Sequence, residues 1–125
     1  MAATKEQLPI EETTAEKDTR FRAFVTIHDS MVRMNKEAKK RYGADGWPEG
    51  RQAEYIVRLG RLFQDGIKRY IEEVDALNVA QKRTPFDPEM EAACKAKLEI
   101  TIRLLGNCER TYRKEYESMK QTQEH

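Results

Sequence analysis

Apolar residues recur three and four positions apart in three long stretches of this chain, and each stretch predicts an amphipathic helix. The middle stretch is the clearest. Ala53, Ile56, Gly60, Phe63, Ile67, Tyr70, Val74 and Leu77 form an unbroken heptad seam. Pro48 suits the first turn of this helix, where a missing N–H is not needed, and the period fades after Leu77 in "NVAQKRTPFD". The spacing therefore predicts a helix over 48–77.

Upstream, "TTAE" reads as a capping box, with Thr13 as N-cap and Glu16 three positions on. The stripe that follows contains Phe21, Phe24, Val25, Ile27, Met31, Met34, Ala38 and Tyr42, and Gly43 supplies a left-handed C-cap. A helix over 14–42 follows. Downstream, Asp87 caps a third helix with Pro88 in its first position and Glu89 and Glu91 near the positive end of its dipole. Its seam runs through Cys94, Leu98, Thr101, Leu105, Cys108, Tyr112 and Met119, widened by Ile102 and Tyr116, over 87–120.

Three long helices with short connections specify an all-α, antiparallel up-down-up three-helix bundle, because consecutive helices joined by short loops pack as neighbours. The expected layout is one domain over 13–121, with a disordered polar tail at 1–12 and a frayed one at 122–125. In this topology the first connection lies at the same end as the C-terminus of the third helix. The only tryptophan, Trp47, should then close that end as an aromatic lid, mostly buried among Tyr42, Tyr55, Tyr112 and Tyr116. Phe86 should do the same at the other end, near Phe21, Phe24, Tyr70 and Met90.

The charge balance narrows the function classes. Lys and Arg total 23 against 22 for Asp and Glu, a net charge of +1, so no general attraction to nucleic acid or membrane follows. Charged residues make up 36% of the chain, which fits long helices with exposed outer faces. The first residues contain no apolar targeting core and no apolar run approaches a membrane span, so a soluble cytoplasmic protein is expected. Cys94 and Cys108 lie about 21 Å apart along one helix, too far for a disulfide, and read as small core residues. The seams can also pair between chains, which allows a homo-oligomer.

Motifs for catalysis are missing from the sequence. It has no glycine-rich phosphate loop, no His-Glu-x-x-His and no paired Cys-x-x-Cys, and no metal or cofactor is expected. His28 shares a helix face with Met31 and Asn35, a register-fixing polar pair with Asn35 rather than a catalytic base. It should lie level with about Thr101 and Leu105, beside neither thiol, so a Cys–His nucleophile is not expected. A non-enzymatic protein is the reading.

Charges on the helices carry the remaining signal. Glu54 with Arg58, Asp65 with Arg69, Glu91 with Lys95 and Glu109 with Arg113 stand at i, i+4 with the acid first. Asp65, Arg69, Glu72, Asp75, Lys95 and Arg103 on the second and third helices form a mixed-charge face suited to steering a protein partner. An alternative basic face of Lys39, Lys40, Arg41, Arg58 and Arg61 near the first connection would bind nucleic acid or phosphate.

The strings "PEGRQAE" at 48–54, "IEEVDAL" at 71–77 and "KAKLEITIRLLGNCE" at 95–109 resemble the second and third helices of BAG domains, three-helix co-chaperone modules. The resemblance implies an adaptor that binds the nucleotide-binding domain of an Hsp70 chaperone and promotes nucleotide release. Asp65 and Asp75 match the family's acids. Lys95, preceded by Cys94, stands where the family carries a basic pair, and Arg103 lies near a polar contact position.

Overall fold

The computed structural model describes residues 2–43 and 47–124, with side chains for 15, 17–43 and 47–122. Its elements are α1 (Ala2–Tyr42), α2 (Arg51–Lys82) and α3 (Pro88–Glu124), with no strand among the described residues. Cross-helix contacts give the directions. Ser30 bonds to Glu109, Asn35 to Tyr112 and Glu37 to Lys120, so α1 and α3 run parallel. Gln52 meets Glu115, Leu59 meets Cys108 and Glu73 meets Thr101, so α2 runs against α3. The result is the all-α up-down-up bundle that the periodicity specifies.

Local chemistry explains several helix ends. Gly43 leaves α1 with φ 89° while its N–H bonds to the Lys39 carbonyl at 2.9 Å, the left-handed cap expected there. Asp87 Oδ1 accepts hydrogen bonds from the backbone N–H of Glu89 and Met90 at 3.0 and 3.3 Å, and Pro88 opens α3. At α2 the expectation fails by a few residues. Gly50 is the N-cap, so Pro48 precedes the helix instead of standing in its first turn, and the Gly50 φ of 133° is a conformation open to glycine. The helix then runs to Lys82 instead of ending at 77, because Ala80 continues the seam one turn past Leu77 and both are buried.

The outer ends also differ. The α1 backbone begins at Ala2, so Thr13 lies inside the helix and is not its cap, and residues 2–12 are its first turns rather than a disordered tail. Ala, Glu, Lys and Gln make up most of that stretch and favour the helix, against Pro9, which removes one intrahelical N–H bond within it. Residues 122–124 likewise extend α3, while His125 lies outside the described residues.

Buried Met31, Met34 and Ala38 of α1, Ile56, Phe63, Tyr70 and Leu77 of α2, and Leu98, Leu105, Tyr112, Tyr116 and Met119 of α3 make one continuous core. Leu105 of α3 packs directly on Gly66 of α2, where a Cβ would lie 2.5 Å from Leu105 Cδ2. Helix α1 packs principally on α3 and reaches α2 through long side chains, as where Phe24 stacks on Tyr70 with centroids 4.0 Å apart.

The aromatic lid forms with one change. Trp47 meets Tyr112 and Tyr116 edge-on, with centroids 6.0 and 5.6 Å away, and Tyr42 at 5.9 Å. It is mostly but not fully buried, as expected, and Tyr55 stays exposed because it stands on a different side of α2. No second lid exists at the other end. Phe86 and Phe21 are 52% and 58% exposed, and the buried apolar residues nearest that end are Leu77, Ala80 and Leu98, with the Phe24–Tyr70 stack further inside the bundle.

Candidate interaction surface

Five of the six charged residues expected to meet a partner stand in solvent: Asp65, Arg69, Glu72 and Asp75 on α2, and Arg103 on α3. Their positions follow from helix geometry, because the α2 positions that face α3 are Gln52, Leu59, Gly66 and Glu73. Arg69 stands beside that line, Asp65 and Glu72 share the next position outward one heptad apart, and Asp75 turns further outward. Lys95 departs from the set. Its ammonium is half-buried and held 2.9 Å from Glu91, so the structure ties it into its own helix.

The expected i, i+4 ladder divides in two. Glu91 with Lys95 and Glu109 with Arg113 are ion-paired, at 2.9 and 3.7 Å. Among the described residues, Glu54 with Arg58 and Asp65 with Arg69 are not joined within 4.0 Å, so both arginines remain directed to solvent. The basic face is also split. Arg58 and Arg61 line a shallow groove of about 830 Å³ beside Trp47, together with Glu49 and Glu54, whereas Lys39, Lys40 and Arg41 occupy the exposed last turn of α1. There the cations oppose the negative end of the helix dipole.

Polar groups in the core have structural tasks. His28 does not pair with Asn35; it stacks on Phe24 at 5.8 Å and lies 3.9 Å from Asp29. Asn35 instead accepts a 2.5 Å hydrogen bond from the Tyr112 hydroxyl. The α1 register also sits further along α3 than expected, with Ile27 against Gly106 and Ser30 against Glu109. Cys108 donates its thiol hydrogen to the Leu59 carbonyl at 3.2 Å, and burial, reinforced by the Glu109 carboxylate, pushes that thiol up in pKa. A raised pKa disfavours the nucleophilic thiolate. No cluster of three His, Cys, Asp or Glu side chains suited to a metal ion occurs among the described residues.

The expected set did not include a second, outward-facing stripe. Three positions after each α3-facing residue of α2 come Tyr55, Leu62, Arg69 and Ala76, on the flank away from α1. One position before the α2-facing residues Thr101 and Leu105 come Ile100 and Leu104. Together they line the side of the α2–α3 pair that α1 leaves uncovered. The signal was present as a second heptad spacing, 90, 93, 97, 100, 104, in α3, masked by interleaved charge.

No described helix is long and apolar enough to cross a membrane. Neither protein-family models, curated proteins nor solved structures give a match to this chain.

Proposed function

We propose that this chain is a non-enzymatic helical module that binds a protein partner through the outer faces of α2 and α3. One observation carries the reading. Asp65, Arg69, Glu72, Asp75 and Arg103 are exposed, and none is ion-paired among the described residues. Charges left in solvent on rigid helices are what complementary potentials use to steer association and select partners. In its most specific form the module is a BAG-like co-chaperone whose Asp65 and Asp75 meet the nucleotide-binding domain of an Hsp70.

A second reading has its own support. Arg58 and Arg61 line one groove with the mostly buried Trp47, a combination of cations and an aromatic ring that suits a phosphate or a single-stranded nucleic acid. Affinity capture from cell extract at low and moderate salt separates the two. Recovery of an Hsp70, lost when Asp65 and Asp75 are both replaced by lysine in a variant with unchanged helicity, supports the co-chaperone form. Another protein partner lost in the same variant supports the broader module alone. Nuclease-sensitive recovery of nucleic acid without a protein partner, falling steeply with salt, removes both in favour of the second reading.

A further inference from the structure

We infer that the uncovered groove between α2 and α3 receives an acidic amphipathic helix of the partner, a deepening that rests on the protein-binding reading above. The groove has an apolar floor. Leu62 is 56% exposed, Ile100 and Leu104 are each 51% exposed, and all three lie on the flank opposite the one α1 covers. Leu62 one heptad after Tyr55 on α2, with Ile100 and Leu104 four apart on α3, forms the kind of apolar trough into which a further helix lays its i, i+3, i+4, i+7 residues. At mid-groove Gly66 contributes no side chain, and the Leu105 side chain of α3 packs into the space.

Charge selects the occupant. Arg51 and Arg58 stand one heptad apart on the α2 edge, Arg69 stands one heptad after Leu62, and Lys97 stands one turn before Ile100 on the α3 edge. All four are exposed, and none is ion-paired among the described residues. The acids near this groove offset them poorly. The Glu73 carboxylate accepts the Thr101 hydroxyl hydrogen bond and Glu115 accepts one from Gln52 at 3.1 Å, which leaves Asp65 and Glu72 on the border against four cations. A helix with Glu or Asp flanking its apolar stripe complements that rim, and a basic helix is repelled by it. A second copy of this chain would present the same basic rim to itself.

The test uses the full chain and three synthetic peptides about three heptads long, with one apolar seam and with flanking positions all Glu, all Gln or all Lys. Fluorescence anisotropy should show the Glu peptide binding about tenfold tighter or more than the Gln peptide, with the advantage shrinking as salt rises. The paired charge reversal Arg69→Glu with Lys97→Glu should erase that preference, and Leu104→Ala should weaken the Glu and Gln peptides alike, both in variants with native helicity. Equal affinity for the three peptides, no binding of the Glu peptide, or binding indifferent to Leu104→Ala overturns the inference. So does a stable dimer in sedimentation equilibrium that Leu104→Glu dissociates, because a second copy then fills the groove. A captured protein lost on reversing Asp65 and Asp75, with no peptide bound, removes the groove occupant and leaves the protein-binding reading standing.

Discussion

The Tyr112 hydroxyl donates a 2.5 Å hydrogen bond to Asn35 Oδ1, joining α3 to α1 just inside the aromatic lid. Its two ends are unequally buried: Tyr112 lies within the core, whereas Asn35 is half-buried. Removing one partner is costly when the other is left without water. Tyr112→Phe leaves an amide that can turn to solvent and should cost about 1 kcal/mol. Asn35→Ala strands a buried hydroxyl and should cost up to about 3 kcal/mol. Urea unfolding of the two variants checks the order. Equal losses would mean that water reaches the Tyr112 hydroxyl.

Gly66 sets how near α2 and α3 approach. A Cβ there would stand 2.5 Å from Leu105 Cδ2, inside any real contact, and Leu105 is itself buried with little room to turn. Gly66→Ala gains about 1 kcal/mol of helix propensity, yet the forced separation should outweigh this and leave a net loss of about 1 to 3 kcal/mol. Leu105→Ala alone should cost about 2 to 5 kcal/mol by opening a cavity. The methyl that Gly66→Ala adds fills part of that cavity. The double variant should therefore be more stable than the sum of the two single losses by more than about 0.5 kcal/mol, measured as a double-mutant cycle. Additive losses would show that Leu105 moves aside freely.

Trp47 is the only tryptophan, so its emission reports on the lid without competition. Edge-on packing against Tyr112 and Tyr116 removes most, but not all, of the indole from water. Native emission should be shifted to the blue of free tryptophan and move red on unfolding. Trp47→Ala should cost about 1 to 3 kcal/mol, below a fully buried aromatic, because part of the ring gains nothing from folding. Emission that matches free tryptophan and does not move with denaturant would remove the lid.

Most of the architecture was legible because it follows from periodicity and local chemistry. The α3 seam from Cys94 to Met119 recurs as core or as partly buried packing, and Asp87 caps the helix through bonds to residues two and three positions on. Features set by three-dimensional placement were not legible. Asn35 found Tyr112 instead of His28 because the parallel register of α1 on α3 depends on how Ile27 seats at Gly106, which no single helix pattern encodes. Phe86 lies in a connection whose path, not whose composition, decides which way the ring points. The same limit hid the groove. Leu62 and Leu104 lie among charges in the sequence, and only the packing of α2 on α3 shows that they share one uncovered flank.

Alkaline pH should unfold this protein through its buried tyrosines. Burial, with the Glu37 carboxylate adding to it, pushes the Tyr116 hydroxyl up to about 12, and burial raises Tyr112 in the same direction, with Tyr116 adding. An unfolded tyrosine loses its proton near pH 10. Above that value the unfolded chain releases protons that the native state retains. Stability is thus complete below about pH 10 and falls as pH rises through about 12. Each such tyrosine lowers it by about 1.4 kcal/mol per pH unit across that window. Phenolate absorbance and helicity should therefore change together for the buried pair, and Tyr116→Phe should make the stability decline less steep. If all five tyrosines ionise near pH 10 while helicity is fully retained, the two hydroxyls are open to water and the lid end is not closed.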